Sequence, residues 1–146
     1  MALDCEMVEL DGATNGLARV SVVNYHGHIL LDRIVKPPKG SHVTDYRTKY
    51  SGITPKLMWG SPPHLVASHA QALQETKRLL KDAVVVGHSL WNDFAALEYD
   101  SHPERDVRDL ATYPKFRDDL GRTIALRKLS HRFLGKNIQE GSHSSV

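Results

Sequence analysis

Asp4 and Glu6 stand two residues apart inside the run Leu3–Val8, whose other members are apolar. If that run is a strand, alternation sends both carboxylates to the same face. Two negative groups held side by side repel, and a cation between them removes the cost. A D-x-E pair also occurs by chance on exposed strands, but acidic residues in an otherwise apolar, central strand need a partner. Asp93, in VGHSLWNDF, is the next carboxylate placed where chemistry is done. It follows an apolar strand and falls on the first turn of a helix, near the edge where open α/β sheets build their sites. Simple complementation of the helix dipole would explain it as well. His143 lies in the polar segment EGSHSSV, one of nine histidines that spacing alone does not distinguish. No H-E-x-x-H or paired C-x-x-C pattern supports zinc, and a carboxylate-dominated donor set favours Mg²⁺ or Mn²⁺.

The elements that must position these groups follow from periodicity. Met1–Met7 reads as a first strand, Leu17–Tyr25 as a second and His28–Val35 as a third, joined by turns at residues 12–16 and at His26-Gly27. Lys36–Ser41 and Val43–Gly52 read as loops. From His64 to Lys81 the period is helical, with Val66, Ala70, Leu73 and Leu80 facing inward. Ala83–Val86 suits a strand buried on both faces. Leu90–Tyr99 reads as a helix, Asp106–Leu110 as a fifth strand, and the segment from Thr123 to Leu134 as a helix with Leu126, Leu129 and Phe133 inward. Three hairpin strands followed by α-β-α-β-α predict an α/β fold: a mixed five-stranded sheet, antiparallel strands first, with helices on both faces.

Bulk properties bound the remaining choices. At 146 residues the chain fits one domain and has no apolar run long enough to cross a bilayer, so no membrane partner is expected. The single cysteine, Cys5, cannot form an internal disulfide, which suits a reducing, intracellular compartment. A formal charge of +2 permits a nucleic-acid partner without demanding one.

Taken together, ALDCEMV, GLARVSVVN, VTDYRTKYSGI, VVVGHSLWNDFAAL, LRKLSHRFLGKNIQEG and HSSV resemble the DEDDh 3′→5′ exonucleases of the RNase H-like superfamily. Within them the likeness is greatest to the RNA exonuclease 4-type branch, which includes the interferon-stimulated exonuclease. The resemblance covers essentially the whole chain. It implies that Asp4, Glu6 and Asp93 are catalytic metal ligands and that His143 is the general base. The reaction implied is two-metal hydrolysis of single-stranded RNA from its 3′ end to nucleoside 5′-monophosphates. The branch further implies ribosomal RNA processing by a monomer in the nucleus, specifically the nucleolus.

In the family's third motif an aspartate follows the histidine by five positions, whereas here Val146 is three positions beyond His143. The expectation is therefore one exonuclease domain over residues 1–146, incomplete at both ends and truncated at the C-terminal helix, with impaired catalysis. A single-stranded DNA exonuclease and a nucleic-acid-binding fragment are the alternatives. Substrate contacts are expected from Met7, Tyr46, Arg47, His88 and Asn92, each with a bland counterpart in packing or solvation. Arg47 would meet a phosphate or the 2′-hydroxyl that marks RNA. The cations Arg122, Arg127, Lys128, Arg132 and Lys136 would track a backbone or simply solvate a helix face.

Overall fold

The first strand, β1 (Ala2–Leu10), alternates between two cores. Leu3 and Cys5 belong to one buried cluster, Val8 and Leu10 to another on the opposite face. A computed structural model describes residues 1–139, apart from the side chains of residues 13 and 14. β2 (Ala13–Val23) and β3 (Ile29–Val35) complete the expected antiparallel meander. Opposite β1 the register runs Glu6↔Arg19 and then Met7↔Leu17, so Ala18 is an extra residue in β2, a bulge that bends the ladder.

The segment expected as a loop after residue 42 contains β4 (Val43–Asp45), which pairs with the end of β1, and a helical turn α1 (Thr48–Ser51). α2 (Pro55–Gly60) starts on Thr54, whose hydroxyl accepts from Leu57 N–H. The helix expected from residue 64 begins later. Val66–Ala67 forms β5, parallel to β3 at Ile34↔Val66, and Ser68 caps α3 (His69–Leu80). Pairing with the open edge of β3 overrides the helical period there. Consequently the buried stripe of α3 is Ala72, Thr76 and Leu80, while Ala70 is exposed.

β6 (Val85–Gly87) is shorter than the expected strand: Val85 is fully buried, but Val84 is 43% exposed. α4 (Leu90–Ala96) stops before Tyr99 because Glu98 turns the chain at φ 48°. β7 (Val107–Asp109) and α5 (Leu126–Leu134) follow. Leu129 is buried as expected, whereas Phe133 is half exposed and meets Phe116 edge-on at 5.0 Å. All five expected strands are present. With β4 and β5 the sheet has seven, in the order β5-β3-β2-β1-β6-β7 with β4 on β1. β6 and β7 run parallel to β1, so the sheet is mixed. α3 and α4 cover the larger cluster, while Ile53 and Met58, around α2, cover the smaller one on the other face.

Gly87 marks the exit from β6 towards α4. A Cβ there would overlap the Leu90 side chain and lie 3.0 Å from Leu3 O. Gly87→Ala is expected to lower stability by about 1–3 kcal/mol through overpacking, read as a reduced midpoint in thermal or urea unfolding.

Candidate active site

β1 is central, flanked by β2 and β6, and Asp4 and Glu6 project from the face that also carries Val8. Asp4 is exposed and Glu6 is buried. β6 pairs with β1 only at Ala2↔Val86, and the two strands then part. Beyond that point the Cys5 N–H donates to Asp93 Oδ1 at 2.8 Å, across 88 residues of sequence. The helix-capping explanation for Asp93 therefore does not account for its side chain: it reaches back from the first turn of α4 to β1. Asp93 is buried, and its pKa is pushed up to about 7, first by burial and then by the negative charge of Asp4, against the pull of the Cys5 hydrogen bonds. The Cys5 thiol is raised as well, by burial and then by Asp93, so it stays protonated and unreactive.

Beside these carboxylates lies a network that was not singled out in sequence. Arg19 pairs across the ladder with Glu6, and Ser21 with Asp4. Arg19 grips Asp32 of β3 through both oxygens, at 2.8 and 2.9 Å, and the Ser21 hydroxyl donates to the same carboxylate at 3.0 Å. The Asp32 bond is the main reason the Arg19 pKa is raised, with the charges of Glu6 and Asp4 adding to it. Asp32 is held below the usual carboxylate range, first by Arg19. The signal available was the one applied to Asp4 and Glu6: charged residues inside the apolar strand runs LARVSVV and ILLDRIV.

The corner between β6 and α4 has its own anchor. Asp109, at the end of β7, accepts from Ser89 N–H at 2.8 Å, Leu90 N–H at 3.0 Å and Ala111 N–H at 2.9 Å. Ser89 sits at φ 65°, left-handed backbone that a non-glycine residue holds only when its surroundings enforce it. Asp109 supplies the start of α4 with the acceptor that Ser89 does not, and so sets the helix that carries Asp93.

Asp4 lines a cleft of about 350 Å³ with Gly87, His88, Leu126 and Gln139 among its walls. His88 is thus brought to the site, half-buried, with Nε2 2.9 Å from Ile124 O. Other expected contacts are placed differently. Met7 is half-buried and packs against the larger core cluster, on the face opposite Asp4 and Glu6. Tyr46 is half-buried against the smaller cluster, and its hydroxyl accepts from Trp59 Nε1 at 3.1 Å. Arg47, at φ 48°, is engaged by Glu9 at 3.3 Å and Asn15 at 3.1 Å. Asn92 is exposed on α4. The expectation for His143 lies outside the described residues.

Among the described residues no group of three or more His, Cys, Asp or Glu side chains closes into a ready metal shell. The donor chemistry nonetheless fits a hard divalent cation. A buried carboxylate, Asp93, is driven towards neutrality partly by the charge of Asp4 beside it. A cation bound to such oxygen donors would reverse that shift.

An exonuclease family model (RNase_T) matches residues 1–146. The chain is 43% identical over 149 residues to RNA exonuclease 4 of Debaryomyces hansenii, covering 100% of this chain and 52% of that protein. It is 41% identical over 149 residues to human apoptosis-enhancing nuclease, covering 98% of this chain and 43% of the relative. It thus spans about half the length of the curated relatives it matches. The pseudoubiquitin hydrolase–RNA exonuclease module of Saccharomyces cerevisiae Pan2, solved with AAUUAA RNA, superposes with a TM-score of 0.81 at 29% identity, over 99% of this chain and 26% of that one. Pan2 of Neurospora crassa superposes equally well, at 26% identity over 99% of this chain and 24% of that one. The mixed sheet is accordingly that of the RNase H-like exonuclease domains, and the chain belongs to the RNase_T exonuclease family.

Proposed function

We propose that this chain is the nuclease domain of a divalent-metal-dependent 3′→5′ exoribonuclease. It would release nucleoside 5′-monophosphates from single-stranded RNA, in nuclear processing of ribosomal RNA. The observation that carries the reading is the placement of buried Asp93, which α4 brings against β1 beside Asp4. The names of the similar RNA exonucleases and the RNA bound to the Pan2 module support RNA as substrate.

In this reading Asp4, Glu6 and Asp93 hold Mg²⁺ or Mn²⁺. When bound, the ions supply Lewis acidity at the scissile phosphate and lower the pKa of the attacking water. The chain's own groups do the rest. The Cys5 N–H fixes the Asp93 carboxylate, and the Arg19 cation offsets part of the charge of Glu6 and Asp4 in the absence of substrate. Asp109 holds α4, and with it Asp93, in place. His143 takes the proton of the attacking water, a role suited to imidazole near neutral pH. Arg47 would exchange Glu9 and Asn15 for a phosphate or a ribose 2′-hydroxyl, and His88 would line the pocket of the terminal nucleotide.

Incubated with 5′-labelled RNA and Mn²⁺, the chain is expected to give a ladder shortened from the 3′ end, with less cleavage of a matched DNA. Asp93→Asn is expected to lower the rate by at least about 10²-fold, and His143→Ala by about 10²–10⁴-fold. An undiminished rate in Asp93→Asn, or internal cuts in place of a ladder, would sink the reading.

Metal binding has a readout independent of turnover. Mn²⁺ at about 100 times its dissociation constant is expected to stabilise the fold by about 2.7 kcal/mol, seen as a higher melting temperature that Asp93→Asn abolishes.

Without metal, the raised folded-state pKa of Asp93 makes stability fall as pH rises. The contribution is whole below the unfolded value of 3.8 and is lost on passing about 7. Chemical denaturation across that window in EDTA is expected to show this slope in the parent chain and a flatter one in Asp93→Asn.

A further inference from the structure

One row of paired residues crosses the sheet on the face that carries the candidate site. Glu6 lies opposite Arg19, Arg19 opposite Ile34, and Ile34 opposite Val66. At about 4.8 Å per strand the row is about 14 Å long. At its far end Val66 forms part of a cleft of about 770 Å³, whose walls include Lys36, Lys39, Trp59 and His69. The described residues that line it include cations but no Asp or Glu. Trp59 is 56% exposed, and Lys36 Nζ lies 5.5 Å from the ring centroid. The indole is also oriented, because its Nε1 donates to Tyr46. The next residue, Arg47, is bonded to Glu9 on β1, which ties this corner to the strand bearing Asp4 and Glu6.

A fixed, exposed indole beside two lysines, with no acid in the walls, has the make-up of a stacking platform for a polyanion. We propose that the Lys36–Lys39–Trp59 cleft holds the part of a single-stranded nucleic acid upstream of the 3′ end being cut. One base stacks on Trp59 while phosphates lie against Lys36 and Lys39. This assignment rests on the exonuclease reading: a 3′ end at Asp4, Glu6 and Asp93 leaves the strand to run outward. Its path lies outside the row, because Ile34 is packed with Ile53 and Met58, and a few nucleotides span the separation the row measures.

The test compares the affinities of 5′-labelled RNAs of about 2 and about 18 nucleotides, lengths that bracket the roughly 4–16 nucleotides of single-strand sites, the shorter being unable to span the row. Fluorescence anisotropy in EDTA keeps their lengths constant. Trp59→Ala is expected to weaken binding of the longer RNA about tenfold and leave the shorter unchanged. The double variant Lys36→Ala/Lys39→Ala is expected to reduce the slope of log affinity against log salt by about 1.4 for the longer RNA alone. Trp59→Phe keeps a stacking face without the bond to Tyr46, and is expected to retain the parent affinity.

Equal affinity of parent and Trp59→Ala for the longer RNA would overturn the proposal, as would equal losses at both lengths. So would a Trp59→Phe chain as weak as Trp59→Ala, because the effect would then run through Tyr46. Failure of the exonuclease reading is seen separately, as a parent chain that shortens neither RNA in Mn²⁺. Even then, the difference in affinity between the two RNA lengths still decides whether the cleft binds a strand.

Discussion

The bond from the Cys5 N–H to the Asp93 carboxylate joins two features that would otherwise be unrelated. β1 and β6 part after a single residue pair, which leaves an amide of the central strand without a strand partner. An unsatisfied buried amide costs about 1–3 kcal/mol, so something must fill the gap. A carboxylate fills it, and one from a helix packed against the strand brings its charge next to Asp4. The defect in the ladder and the concentration of negative charge are thus one structural fact. Among the described residues, Asp109 aims Asp93, and Arg19, Ser21 and Asp32 manage the charge that results.

Aim comes from β7. Asp109 accepts two backbone N–H groups at the corner before α4 and a third from Ala111, and Ser89 keeps its left-handed backbone inside that clasp. Charge is managed along the paired rows of β1, β2 and β3. Glu6 faces Arg19, Asp4 faces Ser21, and Asp32 of β3 binds both Arg19 and Ser21. Arg19 is therefore shared between a structural partner and the candidate ligands.

Much of this was legible in sequence because it depends on local period. The alternation around Asp4 and Glu6, the buried strand before Asp93 and the helical run containing Leu80 each announce themselves within a window of about ten residues. What period could not show was decided by partners distant in sequence. Val66–Ala67 became a strand because the edge of β3 was open, and residues 43–45 because the end of β1 was. Phe133 turned outward because it meets Phe116. At the site, Asp93 was found but not its true contact, since nothing near it in sequence points to Cys5. Arg19 and Asp32 carried a readable signal, charge in an apolar strand. Asp109 carried none, because a carboxylate after a short strand is ordinary until the corner it clasps is seen.

That clasp also orders events in time. Asp4 and Glu6 leave the ribosome first, and α4 follows some ninety residues later, yet the acceptor that starts α4 belongs to residue 109. The bond from Cys5 to Asp93, across 88 residues, closes late because loop entropy must be overcome before it rewards the chain, and the Asp109 clasp waits on β7. A nascent chain that has exposed only β6 and α4 has its carboxylates but not their alignment. The candidate site is therefore aligned only after residue 109 has been synthesised.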